Sequence, residues 1–502
     1  MVIATRETKR DFASLRRSQR ARVLAQAGIH SGEIDGKDAG LMLLRDIVLG
    51  RRADVLDAAT LLFVPVFNAD GHERSGSGKR MNQRGPDNAG WRTTARNLNL
   101  NRDYVKLEAP ETVALVGLIE AVDPDLYLDL HVTDGLDHQY DITYGFNEQA
   151  PWSPAASGWM ARSLRPAIDR GLTAGGHTPG WFYMERDGHD PMAGLIDGRS
   201  GARLSHGYGD LRHLPTVLVE NHSLKPYRRR VLGTYLLVEH ALRAAGSGVA
   251  DLRRAIAADR AARPGSLPVK FALDEKPSRI ENFAAVTYEY FQSPISGARE
   301  VRWMGKPAVQ KVPVFTMSPS IRVARPAAYW IPPARADLAA KLRLHGVRVE
   351  EVAAPVTRTL QFYRLQAPTV APAPFEGRMM VTVEHVTTEP LERTWPAGSF
   401  RVPTDQPLGD LAMVMLEPQA EDSLFSWGYL LEVLQRTEYY ENYIMEPMAQ
   451  QMLERDPKLR EQWQQALKDP AFAKDAAARL GWFYERSGLT DDHHLLYPVA
   501  RE

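Results

Sequence analysis

Four short apolar runs, residues 23–27, 61–67, 126–131 and 217–220, alternate with stretches of helical spacing at 110–122, 158–174 and 227–245. Runs of that length are strands. Strands separated by helices must pack as a sheet with helices layered on it, so the pattern confines residues 1–248 to an α/β architecture. The runs also end in a telling way. His30 and Glu33 follow the first, His131 closes the third and Glu220 closes the fourth. The carboxyl ends of sheet strands are where open α/β folds place ligands.

His30-Ser31-Gly32-Glu33 is an H-x-x-E set in a turn, with Gly32 and Gly36 suited to tight backbone. The next segment, 37–49, carries Leu41, Leu44, Val48 and Leu49 at helical spacing, with Gly50 placed as a C-terminal cap. His131 supplies a third candidate ligand. Two imidazoles and a carboxylate leave Zn2+ an open fourth position, the arrangement of a catalytic site, so the donor set predicts one zinc per chain and a zinc hydrolase. Glu220 ends an apolar Val-Leu-Val run, where an acid needs a partner or a task. His72, His138, His206, His213 and His222 lie near these motifs without ligand spacing and are read as supporting or surface residues. The pair His493-His494, after Asp491-Asp492, is read as solvated.

Further motifs follow in order over residues 21–245: Asn68-Ala69-Asp70-Gly71-His72-Glu73, Asn82-Gln83-Arg84-Gly85-Pro86, Gly90-Trp91-Arg92, Asn97-Leu98-Asn99-Leu100-Asn101-Arg102-Asp103 and Thr216-Val217-Leu218-Val219-Glu220-Asn221. Together with the H-x-x-E and His131, they make the chain resemble a zinc carboxypeptidase of the M14 metallopeptidase family. The resemblance implies a mixed β-sheet layered by helices, with His30, Glu33 and His131 as zinc ligands. It implies Glu220 as the general base, Arg92 as the group stabilising the oxyanion, and Asn101 with Arg102 holding the substrate's terminal carboxylate. The sequence departs from the family pattern at Ala69, where proline is usual, and at Asn99, where an aspartate usually orients a zinc histidine. The segment 195–204 lacks the mobile tyrosine of many members; Tyr183 and Tyr208 are the nearby alternatives.

The chain has 502 residues, 44% hydrophobic and 25% charged, which suits a soluble globular protein with more than one domain. Residues 1–248 are expected to form the catalytic domain. Residues 249–502 are expected to form a smaller α+β accessory region, reached through a helix over 251–263 ended by Pro264-Gly265. In that region 283–291 and 379–386 read as strands, 336–344 as a short helix closed by Gly346, and 367–374 as a proline-rich linker; the last hundred or so residues read as helical and aromatic. The 62 basic and 62 acidic residues balance, giving no electrostatic case for nucleic acid. With no cysteine, disulfides and thiolate zinc sites are excluded.

No run of about 20 apolar residues predicts a transmembrane segment, and residues 1–7 hold no apolar core of signal-peptide length. Read literally the chain is cytoplasmic. In the resembled family the H-x-x-E normally follows more than one strand, so a strand and any export signal are expected to lie before Met1. Val2-Ile3-Ala4 is then a strand remnant, and the ancestry periplasmic or secreted. The expected substrate is a peptide or small molecule with a free C-terminal carboxylate. The alternatives are a zinc amidohydrolase acting on an acyl-amino acid and a non-catalytic binding protein on the same fold.

Overall fold

The computed structural model describes residues 1–148 and 151–502. A central sheet contains β1 (Val2–Ala4), β2 (Ala21–Ala27), β3 (Ala59–Val64), β4 (Leu126–Thr133), β5 (Ile142–Gly145), β6 (Pro179–Trp181) and β7 (Thr216–His222). Their order across the sheet is β1-β3-β2-β4-β7-β5-β6. β3, β2, β4 and β7 run parallel, whereas β1 and β5 pair antiparallel with β3 and β7, so the sheet is mixed. The Val2-Ile3-Ala4 segment is thus a strand. The run at 61–67 stops pairing at Val64, because Pro65 offers no N–H to the ladder; Phe67 and Asn68 instead donate to the carbonyls of Ala27 and Gly28.

β2 is buried along its whole length because both faces of the sheet are covered, which is why it reads as a continuous apolar run. Side chains alternate between two cores. Val23 and Ala25 pack with Ala39 and Leu43 of helix α1 (Asp35–Val48), whereas Leu24 packs with Leu115, Val116 and Ile119 of α2 (Pro110–Val122). Gly50, at φ 79°, closes α1 as its C-terminal cap. Beyond α3 (Ser205–Arg212), the long α4 (Tyr227–Ser247) lies beside α1 on the first face. Its Arg230 is fully buried against the fully buried Asp35, with Nε to Oδ2 at 2.7 Å. The same guanidinium donates to the carbonyls of Arg84, Gly85 and Ser223. This charge cluster ties the exit of β7 to the start of α1, two residues after Glu33.

The second face of the sheet is covered by α2 together with the C-terminal region. One core cluster contains Leu24, Leu115 and Tyr127 alongside Tyr329, Leu338, Phe425 and Tyr497. The expected division at 248 falls between α4 and α5 (Val249–Ala261), and α5 is fastened to the first part by Arg253–Asp125 at 2.9 Å and Arg260–Asp123 at 2.7 Å. Leu195–Asp197 pairs parallel with the strand Arg299–Ala324, so the two regions also share a sheet. That long strand forms a hairpin with Arg279–Gln292, within which the expected strand 283–291 lies. Its length is not legible in the sequence, because Pro307, Pro313 and Pro319 argue against a strand. Pro307 is accommodated beside a break in register between Val286 and Tyr288. The strand expected at 379–386 is interrupted: Val381–Thr382 and His385–Trp395 are separate, with Val381 donating to the carbonyl of Ser426. Among the described residues, no helix is long and apolar enough to cross a membrane.

Candidate metal centre and active site

Three parallel strands bring the candidate residues together. His30 follows β2, His131 lies near the end of β4, and Glu220 stands directly opposite His131 in the register of β7. Glu33 is turned back towards the histidines by a loop that folds tightly on its neighbour. A Cβ at Gly32 would come within 2.8 Å of the Gly90 carbonyl, and one at Gly90 within 2.6 Å of Ser31 Cβ. The H-x-x-E loop therefore lies backbone to backbone on Gly90-Trp91-Arg92. The Asn68 motif holds that second segment. Asn68 accepts the Gly71 N–H at 2.9 Å and donates to the Arg92 carbonyl at 3.2 Å, while Trp91 N–H donates to Gly71. Asn68→Ala removes the cap and the tether at once; it is expected to cost about 1–2 kcal/mol of stability, read as a lower urea midpoint.

His30, Glu33 and His131 are all buried, and each offers a ligand atom within 4.8 Å of the others. His30 Nδ1 lies 2.9 Å from one oxygen of Glu33, and His131 Nδ1 lies 2.9 Å from the other. Both remaining ring nitrogens are engaged: His30 Nε2 donates to Asn99 Oδ1 at 3.0 Å, and His131 Nε2 donates to Asp129 Oδ2 at 2.9 Å. With Nε2 carrying the proton, each Nδ1 presents a lone pair to an ionised carboxylate. Facing lone pairs need a cation between them, so the donor set fits a divalent metal, and zinc in particular. The surrounding carboxylates also favour positive charge at this point. Burial alone would lower the His131 imidazole, yet the charges of Asp129 and Glu220 carry it well above its ordinary value. Burial would raise Glu33, yet His30 and Arg80 hold it well below the usual carboxylate range.

Asn99 does more than replace an aspartate. The oxygen that receives the His30 proton also accepts the Asn101 N–H at 3.0 Å, so one side chain links the metal-ligand candidate to the Asn-Arg pair. Arg102 donates to the Asn101 carbonyl at 2.7 Å, and its guanidinium enters no ion pair among the described residues. Burial, and then the neighbouring Arg92 and Arg203, depress its pKa, a sign of unsatisfied positive charge. The Asn101 side-chain amide is buried and its Oδ1 has no partner. Arg92 is more exposed, at 46%, with Nη1 3.5 Å from Glu33. Glu220 Oε2 is buried without a partner, and burial, reinforced by Glu33 and Asp129, pushes its carboxyl up to about 8.

Several contributors were not singled out in the sequence. Asp129 is fully buried and bonded to both His131 and Gln26, whose own oxygen accepts from Tyr127. An acid inside the apolar run Leu126–His131 was the available signal. Arg80 reaches Glu33 at 3.0 Å and donates to the Val132 carbonyl, from a Gly- and Ser-rich loop that gives no such signal. Glu376, just past the stretch read as a linker, accepts the Asn99 N–H at 2.8 Å, and its carbonyl accepts from Lys106. His138, His206, His213 and His222 are buried rather than at the surface; burial pulls His206, near Asp129 and His131, down to about 4. Tyr208 is packed in the core against His345, whereas Tyr183 is half-buried and bonded to Arg279 and Glu281. The carboxylates of Asp491 and Asp492 with His493 form a second ligand-like group, but it is exposed.

The mixed sheet places this donor set at the carboxyl ends of parallel strands, where a metal site is well supported by the fold. Residues 1–143 match the family model described as zinc carboxypeptidase, Peptidase_M14. Over that stretch the chain is similar to this family of zinc metallopeptidases. The matched stretch contains His30, Glu33 and His131 and ends before Glu220. Among curated relatives, carboxypeptidase 2 of Trichophyton rubrum is 23% identical over 443 residues, covering 82% of this chain and 74% of that protein. The carboxypeptidase 2 of Trichophyton equinum is 25% identical over 441 residues with the same coverage. A metallo-carboxypeptidase structure from Burkholderia cenocepacia is 17% identical, with a TM-score of 0.34, over 46% of this chain and 58% of that one. A Pseudomonas aeruginosa metallo-carboxypeptidase in complex with (2-guanidinoethylmercapto)succinic acid is 19% identical, with a TM-score of 0.33, over 47% of this chain and 59% of that one. The chain thus spans less than two thirds of either solved structure.

Proposed function

We propose that the protein is a zinc-dependent carboxypeptidase that removes the C-terminal residue from peptides, with His30, Glu33 and His131 holding one zinc. The observation that carries this reading is the pairing of Glu220 with His131 on adjacent parallel strands, with an unpartnered Glu220 oxygen beside the donor set. Zinc bound there would polarise the scissile carbonyl and lower the pKa of water to about 7. Glu220 takes a proton from the attacking water and returns it to the departing amine. Its raised carboxyl pKa suits a group that must both accept and give at neutral pH. Arg92 points a fixed positive charge at the site and stabilises the developing oxyanion. Arg102 and Asn101 hold the terminal carboxylate, for which the unpaired guanidinium is matched in charge and shape.

Mass spectrometry of a mixed peptide library incubated with the zinc-loaded protein tests this directly. Single C-terminal residues should disappear, and chelation should stop the reaction; internal cuts, or turnover insensitive to chelation, would overturn it. Purified protein is expected to hold about one zinc per chain, and His131→Ala to hold far less. Metal analysis showing wild-type zinc in His131→Ala would remove that residue from the site.

A further inference from the structure

Beyond His131 the chain turns through Thr133-Asp134-Gly135 and lines a cavity of ≈ 220 Å³. The cavity adjoins the metal centre through two strands: Thr133 lies two residues past His131, and Thr143, also in its wall, donates its hydroxyl to the Glu220 carbonyl at 3.0 Å. It lies on the side of the centre reached through His131 and Glu220, whereas the Asn101–Arg102 pair is reached through His30 and Asn99. With a peptide's terminal carboxylate at Arg102 and its last bond at the metal, the preceding residue would lie on the side of this cavity.

The wall has a definite chemistry. Asp134 and Glu185 supply carboxylates, Trp181, Tyr183 and Phe283 supply aromatic rings, and no Lys or Arg is present among the described lining residues. Asp134 is held by Asn82, which donates to it at 2.9 Å, and Glu185 accepts the Leu136 N–H at 3.1 Å. Gly135, at φ 99°, permits this: a Cβ there would meet Glu185 Oε2 at 2.7 Å. His138 also lines the cavity. It is 7% exposed, its Nδ1 has no partner, and burial with the charges of His222 and Lys225 keeps the ring neutral, so it presents an acceptor and no positive charge. Carboxylates, a neutral imidazole acceptor and aromatic faces together suit one kind of guest, a cation bearing N–H donors. Phe283 comes from the C-terminal region, which thus forms part of the wall.

We propose that this cavity is a specificity pocket for a lysine or arginine side chain on the residue immediately before the scissile bond. The proposal rests on the carboxypeptidase reading for its placement along the substrate. The test uses N-acetylated tripeptides that share a C-terminal Phe and differ only in a middle Lys or Glu, so that no free α-amine competes. Zinc-loaded wild type should favour the Lys peptide by about 10-fold or more in kcat/KM, and Glu185→Gln combined with Asp134→Asn should bring the ratio within about twofold. Asp134→Asn alone, at an exposed position, should give an intermediate ratio and guards against misfolding of the double variant. Binding of fluorescent versions of the same peptides to Glu220→Gln separates the two hypotheses. A Lys preference in binding with no release of Phe by the wild type would keep the cation pocket and sink the carboxypeptidase. Equal binding and equal cleavage of the Lys and Glu peptides would overturn the pocket, whatever the activity.

Discussion

Glu220→Gln is expected to keep its zinc and its fold and to lose about 100-fold or more of kcat on a peptide substrate. The side chain keeps nearly the same shape, and its backbone stays locked between His131 on one side and Thr143 on the other. What disappears is the capacity to accept a proton. A purely structural carboxyl would behave differently, because replacing it by the amide would shift stability without touching turnover. Kinetics and zinc content measured on the same preparation distinguish the outcomes. Near-wild-type kcat would remove Glu220 from the chemistry.

Arg102→Ala should cost kcat as well as KM, since grip on the terminal carboxylate positions the scissile bond at the metal. Amidating the substrate's C-terminus removes the other half of the same interaction. A desolvated, charge-assisted pair of this kind is worth about 2–5 kcal/mol, or about 30-fold to several-thousand-fold in kcat/KM. In a double cycle the wild type should strongly prefer the acid substrate, and the mutant should scarcely distinguish acid from amide. Equal cleavage of both forms by the wild type would remove the exopeptidase reading.

The sheet and the donor set were legible because their signals are local. An apolar run ending in His or Glu states both a strand and its functional end, and H-x-x-E brings two ligand candidates from a single turn. Asn99 was legible as a departure, though its double role needed the geometry, since nothing in sequence says that one oxygen serves both His30 and the Asn101 backbone. Asp129 and Gln26 left a fainter mark, polar residues inside apolar runs, whose partners lie 103 positions apart. Arg80, Glu376 and the wall contributed by Phe283 left none. Their roles depend on contacts between distant segments, and side-chain type alone does not encode which loop will fold over which site. The long hairpin of the C-terminal region was hidden for a different reason: Pro307 is tolerated where the ladder breaks register, and that is a property of pairing.

The contact between Glu376 and the Asn99 backbone joins residues 277 positions apart. Its consequence concerns the order in which the protein is made. A chain emerging from the ribosome exposes His30, Glu33 and His131 early, and Glu220 soon after, so the candidate ligands are made long before the segment that carries Glu376. The segment that braces Asn99 emerges much later, and the core cluster closes only with Val499. Synthesis therefore separates the candidate metal ligands from the segment that braces the turn before Asn101 and Arg102. Until those segments dock, the Asn99 link between His30 and the Asn101 backbone lacks its brace.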